Sequence, residues 1–220
     1  MIDQYTSLNW NDLLALLRGI RMTMTVTLLS IFIGTVIGII LGIICTSKNK
    51  IISSLPLIYI EPLRNSPLIT QLFLVYFGLP MVSRIILDPF TAGVLTLSLN
   101  TGAFFAVLVN TSIRAVPKAQ WEAAYALGHG KPSVFCRIIF WQAIRILIPQ
   151  AITLYINQLQ CSAFVSIIGL ADLAKVGAGI TQRTLMPFAI WGIVFVFYYV
   201  ISFPLSKLAQ YLEKRVDYSY

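Results

Sequence analysis

Four stretches of this chain contain no Asp, Glu, Lys or Arg and are long enough to cross a lipid bilayer, because about 20 helical residues span a hydrocarbon core of ~30 Å. These stretches cover residues 22–47, 89–113, 146–171 and 184–206. A fifth apolar segment contains two charged residues, Glu61 and Arg64. The pattern therefore predicts five transmembrane helices within a single transmembrane domain, residues 1–220. Their predicted bounds are about residues 22–47, 56–79, 89–113, 143–168 and 184–207.

The predicted fold class is an all-α integral membrane protein. The apolar runs are continuous and too long for strands, whereas the strands of a membrane β-barrel alternate between apolar and polar residues. The composition agrees, since 58% of the residues are hydrophobic and 11% are charged, and the mean hydropathy is +0.82. An average soluble domain has about a quarter charged residues. Membrane lipid is therefore an expected partner.

The net charge of +8 is spread over the ends of the predicted loops. It forms no face of basic and aromatic residues, so nucleic acid is not an expected partner. Ten Lys and Arg residues lie on one predicted side of the membrane: Lys48, Lys50, Arg114, Lys118, Lys131, Arg137, Arg145, Lys207, Lys214 and Arg215. Five lie on the other side: Arg18, Arg21, Arg84, Lys175 and Arg183. Because basic residues favour the cytoplasm, the N-terminus is predicted outside and the C-terminus inside.

The longest predicted loop, about residues 114–142, carries signals for a helix of its own. Pro117 suits the start of a helix and Gly128 suits its end. About ten helical residues are predicted between them, at the cytosolic membrane surface. Trp121 and Tyr125 are one turn apart, where both rings can reach the headgroup level.

This loop reads Glu122-Ala123-Ala124, three residues, Gly128, nine residues and Ile138. The order resembles the EAA signature of the membrane subunits of binding-protein-dependent ABC importers, with Trp141 at the position of the final proline of that signature. Small residues would let a short helix sit deeply in a groove of an ATPase subunit. A glutamate followed by two alanines also occurs in ordinary interfacial helices with a glycine cap.

The resemblance extends over most of the chain. Residues 59–80, YIEPLRNSPLITQLFLVYFGLP, resemble the second span of the same family, and SIIGLADL resembles a stretch after its fourth span. On these motifs the chain is identified as a member of the histidine/glutamine type, the polar amino-acid branch. The resemblance implies a type I ABC importer permease fold with a cytosolic coupling helix, in a bacterial inner membrane. It also implies residues that contact the ATPase: Glu122, Ala123, Ala124, Leu127 and Gly128.

The same resemblance implies the partners. An ABC ATPase dimer would dock on the coupling helix and bind ATP and Mg²⁺, and a soluble binding protein would deliver the polar amino acid. Relatives usually carry charged residues where this chain has Val107 and Asn110, and Lys-Asp-Thr-Ser-Leu where it has residues 160–164. A second, non-identical permease could supply the missing charges. A heterodimer is therefore favoured, while a homodimer stays open.

Glu61 and Arg64 lie three residues apart, so a continuous helix would place them on one face, where they could partly neutralise each other. Charged groups within a membrane usually face protein or water. The pair is therefore either part of the substrate path or a brace for the kinks at Pro62 and Pro67. The candidate residues of the substrate path are Glu61, Arg64, Gln160 and Ser162.

Several patterns typical of enzymes are missing from the sequence. No phosphate-binding G-x-x-x-x-G-K-[ST] motif occurs, His129 is the one histidine, and the three cysteines are isolated. No catalytic residue, metal ligand or cofactor is therefore predicted in this chain. The alternative function is an ion-coupled secondary transporter or channel, which would need ionisable groups on more than one span.

The first predicted span has a glycine at every fourth position: Gly34, Gly38 and Gly42. Residues at this spacing share one side of a helix, and small residues there let a second helix approach closely. This stripe predicts a tight helix–helix contact.

Overall fold

The structure is a computed structural model that describes the backbone of residues 8–217 and the side chains of residues 8–215. Every regular element in this range is helical. The α-helices, in chain order, are α1 (Trp10–Cys45), α2 (Lys50–Ser54), α3 (Leu57–Arg64), α4 (Leu68–Phe73), α5 (Leu79–Ser83), α6 (Pro89–Ala115), α7 (Lys118–Ala126), α8 (Lys131–Val134), α9 (Phe140–Cys161), α10 (Leu173–Thr184) and α11 (Pro187–Asp217). Two π-helical segments, Leu74–Gly78 and Phe135–Ile139, and a 3₁₀ segment, Ser162–Ile168, continue neighbouring helices.

Four helices within the described residues are long and apolar enough to span a membrane. They are Trp10–Cys45, Pro89–Ala115, Lys131–Ile168 and Pro187–Arg215. A bent pair, Lys50–Arg64 and Leu68–Ser83, makes a fifth span if it is counted as one. The all-α membrane fold is therefore confirmed, and the second span differs from a straight helix because its two halves meet at 100°.

Helix α1 begins at Trp10, earlier than the predicted start near residue 22. Asn9 caps this end, since its side-chain oxygen accepts from Asp12 N at 3.1 Å while the Asp12 carboxylate accepts from Asn9 N at 2.9 Å. This reciprocal cap satisfies amide groups that would otherwise lack partners. The Asp12 carboxylate also pairs with the Arg183 guanidinium at 2.5 Å. The charged residues that appeared to precede the span are therefore part of its first turns.

The glycine stripe of α1 packs directly on α6, as predicted. A Cβ atom at Gly34 would lie 2.6 Å from Thr101 Cβ, and one at Gly38 would lie 2.6 Å from Phe105 Cβ. At Gly42 the added atom would lie 2.6 Å from the carbonyl oxygen of Ala106. Such distances are shorter than any normal carbon contact, so only glycine permits this approach of the two helices.

The break in the second span is braced by an amide. Gln71 is 6% exposed, and its Nε2 donates to the carbonyl oxygens of Leu63 at 2.7 Å and Ser66 at 3.1 Å. Asn100 of α6 donates to Gln71 Oε1 at 3.2 Å. Carbonyl groups freed by a helix break inside a membrane need such partners.

Glu61 and Arg64 do not form the predicted mutual contact, since they make no ion pair with each other within 4.0 Å. Both side chains are exposed, and the Arg64 guanidinium lies 5.4 Å from the centre of the Phe104 ring. Arg64 is the last residue of α3. Gln71, rather than this charged pair, supports the break.

Candidate coupling surface and translocation groove

The short helix predicted between Pro117 and Gly128 is present as α7. Gly128 has φ of +80°, a left-handed conformation that glycine adopts without steric cost. Its N–H donates to Tyr125 O at 2.9 Å, and His129 N donates to Ala124 O at 3.3 Å. This is a Schellman arrangement, which satisfies the last carbonyl groups of a helix. Gly128 therefore fixes the end of α7.

The two alanines of the Glu122-Ala123-Ala124 motif lie on different sides of α7. Ala124 is 2% exposed and belongs to a buried cluster with Val134 and Ile139. Trp121 packs against the same cluster and is half-buried, so its ring contacts protein as well as the surface. Ala124 is therefore small because its own chain leaves little room, a distinction that the sequence pattern does not reveal.

The outward side of α7 carries the remaining motif residues. Glu122, Ala123 and Gly128 are exposed, and Leu127 is 77% exposed. A large exposed leucine beside a small alanine gives a knob and a shallow recess, which is a surface suited to contact with another protein. We define the docking face as Glu122, Ala123, Leu127 and Gly128.

Helix α7 is attached to the helix that contains the fourth predicted span. That helix begins at Lys131, so the second half of the predicted loop is already helical. Besides the buried cluster, Gln142 Nε2 donates to Gln120 Oε1 at 3.2 Å. The docking face and the fourth span are thus joined by apolar and polar contacts.

A groove of about 600 Å³ is lined in part by the same helix, α9. Arg64 and Phe104 line one side. Helix α9 supplies Gln150, Thr153 and Asn157, which follow one another at helical spacing. Polar residues at such positions of a span usually face protein or water rather than lipid. Their spacing of three and four residues could have identified them from the sequence.

The predicted path residues are not all in this groove. Among them, Arg64 lines it, whereas Glu61 is exposed outside it. Gln160 lines a second groove of about 340 Å³ together with residues of α11. Ser162 is buried and donates to Leu159 O at 2.7 Å.

The part of the chain that the structure describes brings together no group of three His, Cys, Asp or Glu residues that could hold a metal ion. Cys45 is buried, Cys136 is exposed and Cys161 is intermediate.

Asp172 is a buried residue that immediately precedes α10 in the sequence. It caps α10, with Oδ1 accepting from Lys175 N at 2.9 Å. Its Oδ2 is buried and has no hydrogen-bond partner. Loss of water at this oxygen disfavours the charged form, so burial raises the pKa of Asp172 from 3.8 to about 6, against the lowering effect of the cap hydrogen bonds.

This shift predicts a pH-dependent effect of Asp172→Asn on stability. The unfolded chain loses the proton near pH 3.8 and the folded protein near pH 6, so the stability contribution of Asp172 is complete below pH 3.8 and is lost as the pH rises through about 6. Asparagine retains the cap and carries no charge. Above about pH 6 the free energy of unfolding of the variant should therefore exceed that of the wild-type protein by up to about 3 kcal/mol. Below pH 3.8 the two proteins should be equally stable. Thermal unfolding across this pH range measures the difference, and an equal gain at every pH would contradict the assignment.

Comparisons with known proteins agree with this architecture. The profile of the family described as "Binding-protein-dependent transport system inner membrane component" matches residues 34–218. The glutamine transport system permease protein GlnP of Escherichia coli is 31% identical over 208 residues, covering 94% of this chain and 95% of GlnP. The L-cystine transport system permease protein TcyB of Bacillus subtilis is 32% identical over 200 residues, covering 90% of this chain and 85% of TcyB.

A crystal structure of an amino acid ABC transporter with histidines is similar to this fold, with a TM-score of 0.85 and 32% identity. The match covers 95% of this chain and 99% of the solved chain. A fold of this kind is that of a type I ABC importer permease. The chain belongs to the family of inner membrane components of binding-protein-dependent transport systems. It is thus a multi-pass membrane transport subunit, and the alternative of an ion-coupled secondary transporter or channel is not favoured.

Proposed function

We propose that this chain is one of two permease subunits of an ATP-driven importer for a polar amino acid. A soluble binding protein delivers the amino acid at the outer face, and an ABC ATPase dimer binds ATP and Mg²⁺ on the cytosolic side. The amino-acid permeases GlnP and TcyB, similar over most of the chain, support this class of cargo. This chain itself has a transport role rather than a catalytic one.

The exposed docking face carries the proposal. Leu127 projects from a helix whose opposite side is fixed to the chain by Ala124. A helix that is fixed on one side and exposes a leucine and small residues on the other is suited to insertion into a groove of a partner. The ten Lys and Arg residues counted for the same side support a cytosolic position, with the N-terminus outside and the C-terminus inside.

The proposed path of the amino acid includes the groove of Arg64, and Glu61, Gln160 and Ser162 contribute where a second permease completes the pore. A heterodimer is favoured over a homodimer. Val107, at a position where relatives usually carry a charged residue, lines the groove and offers no charge. The side-chain oxygen of Asn110 already has a hydrogen-bond partner, since Arg114 Nε donates to Asn110 Oδ1 at 2.8 Å. A non-identical partner would supply the charged groups that are missing at these two positions.

Uptake by the reconstituted complex tests the coupling role. Ala123→Trp places a bulky ring on the docking face without disturbing the buried cluster, so ATP-driven uptake should fall by about tenfold or more, the loss given by ~1.4 kcal/mol of docking energy. The amount of folded permease should be unchanged. Ala189→Trp, an equally exposed alanine of α11, is the matched control and should transport normally. Normal uptake by Ala123→Trp would refute the docking role.

The same assay separates the path from the coupling. Arg64→Gln should lower uptake while ATP hydrolysis and ATPase docking persist, since Arg64 lies in the groove rather than on the docking face. Competition with unlabelled amino acids in this assay identifies the cargo. Unchanged uptake in Arg64→Gln would remove Arg64 from the path.

A further inference from the structure

A second surface beside the docking face has a different chemistry. Arg137, Trp141 and Arg145 follow one another at four-residue spacing where the π-helical segment Phe135–Ile139 passes into α9. Both arginines are exposed, and Trp141 is 59% exposed. Residues four apart share one side of a helix. We call these three residues the basic seat.

The two guanidinium groups of the basic seat are available for a ligand. Neither Arg137 nor Arg145 makes a hydrogen bond, ion pair or ring contact with the side chains and backbone that the structure describes. Arg114, on the same side of the protein, contrasts with them, since its guanidinium binds Asn110 Oδ1 and the carbonyl oxygen of Cys45. The charge of the basic seat is therefore not neutralised by any group that the structure describes.

The surroundings of the basic seat indicate lipid rather than solvent. Ile148, one turn further along α9, is 43% exposed, so the charged surface changes into an apolar one in the direction of the span. A tryptophan between basic residues at such a boundary is typical of the headgroup region, where the indole N–H reaches water and the ring reaches the acyl chains.

We propose that the basic seat binds the phosphate of an anionic phospholipid in the cytosolic leaflet. The inference rests on the cytosolic orientation given by the proposed function. Two guanidinium groups complement the negative charge of that leaflet. Arg137, Trp141 and Arg145 lie outside the docking face, so the basic seat is separate from the residues to which the coupling role is assigned.

Occupancy of the seat has a consequence for the docking face. Gln142, the neighbour of Trp141, holds Gln120 of α7 through its side-chain amide at 3.2 Å. A bound headgroup fixes the cytosolic end of α9 at the membrane surface and, through this hydrogen bond, the position of α7. Anionic lipid should therefore increase coupled uptake.

Quenching of tryptophan fluorescence by brominated lipids tests the seat directly. The full permease is placed in phosphatidylcholine vesicles that contain either brominated phosphatidylglycerol or brominated phosphatidylcholine. The signal of Trp141 is the difference between the wild-type protein and Trp141→Phe. Brominated phosphatidylglycerol should quench it at a mole fraction lower by about thirtyfold, the scale for two basic groups at an anionic surface. Arg137→Gln with Arg145→Gln should abolish this preference.

Arg18→Gln with Arg21→Gln is the matched control, because it removes the same charge from exposed arginines of α1, and the preference should persist. Equal quenching by the two lipids, or a preference that survives loss of Arg137 and Arg145, overturns the proposal. Exclusion of both lipids by the added ATPase also overturns it, since the surface would then belong to a protein contact. Quenching needs no ATP, so it is independent of transport. A preference for the anionic lipid without amino-acid uptake would refute only the proposed function. Uptake without a lipid preference would refute only the proposal of the basic seat.

Discussion

Replacing Gln71 by leucine should lower the free energy of unfolding by about 3 kcal/mol, because three polar groups at the helix break each lose a hydrogen bond, at about 1 kcal/mol each. Those groups are the carbonyl oxygens of Leu63 and Ser66, and the side-chain amide of Asn100. The Leu63 carbonyl and the Asn100 amide would keep only their long mutual hydrogen bond of 3.4 Å. Leucine fills a similar volume, so the loss of stability comes from the missing hydrogen bonds and not from a cavity. Unfolding in mixed micelles measures it.

Gln160→Leu provides the control, since it makes the same substitution at an exposed position. It should change the stability by much less than Gln71→Leu. Because Gln71 also holds the two halves of the bent span together, Gln71→Leu should expose the segment around Ser66 to protease or to hydrogen exchange. Equal stability of the two variants would show that water, rather than Gln71, satisfies the break.

Gly38→Leu should destabilise the protein by about 3 kcal/mol or more, the upper range for overpacking of a close contact. The first added carbon would already lie 2.6 Å from Phe105 Cβ and 3.0 Å from the backbone nitrogen of Ala106. Because one of these neighbours is backbone, a change of rotamer gives no relief and α1 must move away from α6. The yield of folded protein and the midpoint of thermal unfolding in detergent both report the effect.

The matched control is Gly192→Leu in α11, where no atom lies within 4 Å of the position of an added Cβ. Both variants place leucine at a glycine within a span, so they share the change in hydropathy and in helix propensity. A similar midpoint for the two would mean that α1 and α6 are not packed as closely as the structure has them.

The apolar pattern predicted five spans, and the structure has that number if the bent pair is counted as one span. Charge-free stretches gave four spans, and the structure has a helix over each of them. Helix α1 begins before the charge-free stretch because that stretch is bounded by Arg21, which lies within the helix. A charged side chain can belong to a span when a distant partner neutralises it, and the partner of Asp12, Arg183, lies far along the chain. No local rule reveals that pairing.

The candidate site was predictable to a similar extent. Pro117 and Gly128 gave the bounds of α7 because both signals act locally, through φ and through the helix end. The opposite orientation of Ala123 and Ala124 depends on what packs behind the helix, which is tertiary information. The polar residues of α9 in the groove, such as Asn157, carry no charge, so a pattern of charged residues does not identify them.

The burial of Ala124 has a mechanical consequence. Ala124 packs in one cluster with Val134 and Ile139. Helix α7 and the beginning of the fourth span are therefore expected to move together. Further along the same span, α9 contains Thr153 and Asn157 of the groove. A displacement of the surface helix by a fraction of its own width would turn these amide and hydroxyl groups relative to Arg64. On the proposed function, work done at the cytosolic surface would thus reach the groove through a single span.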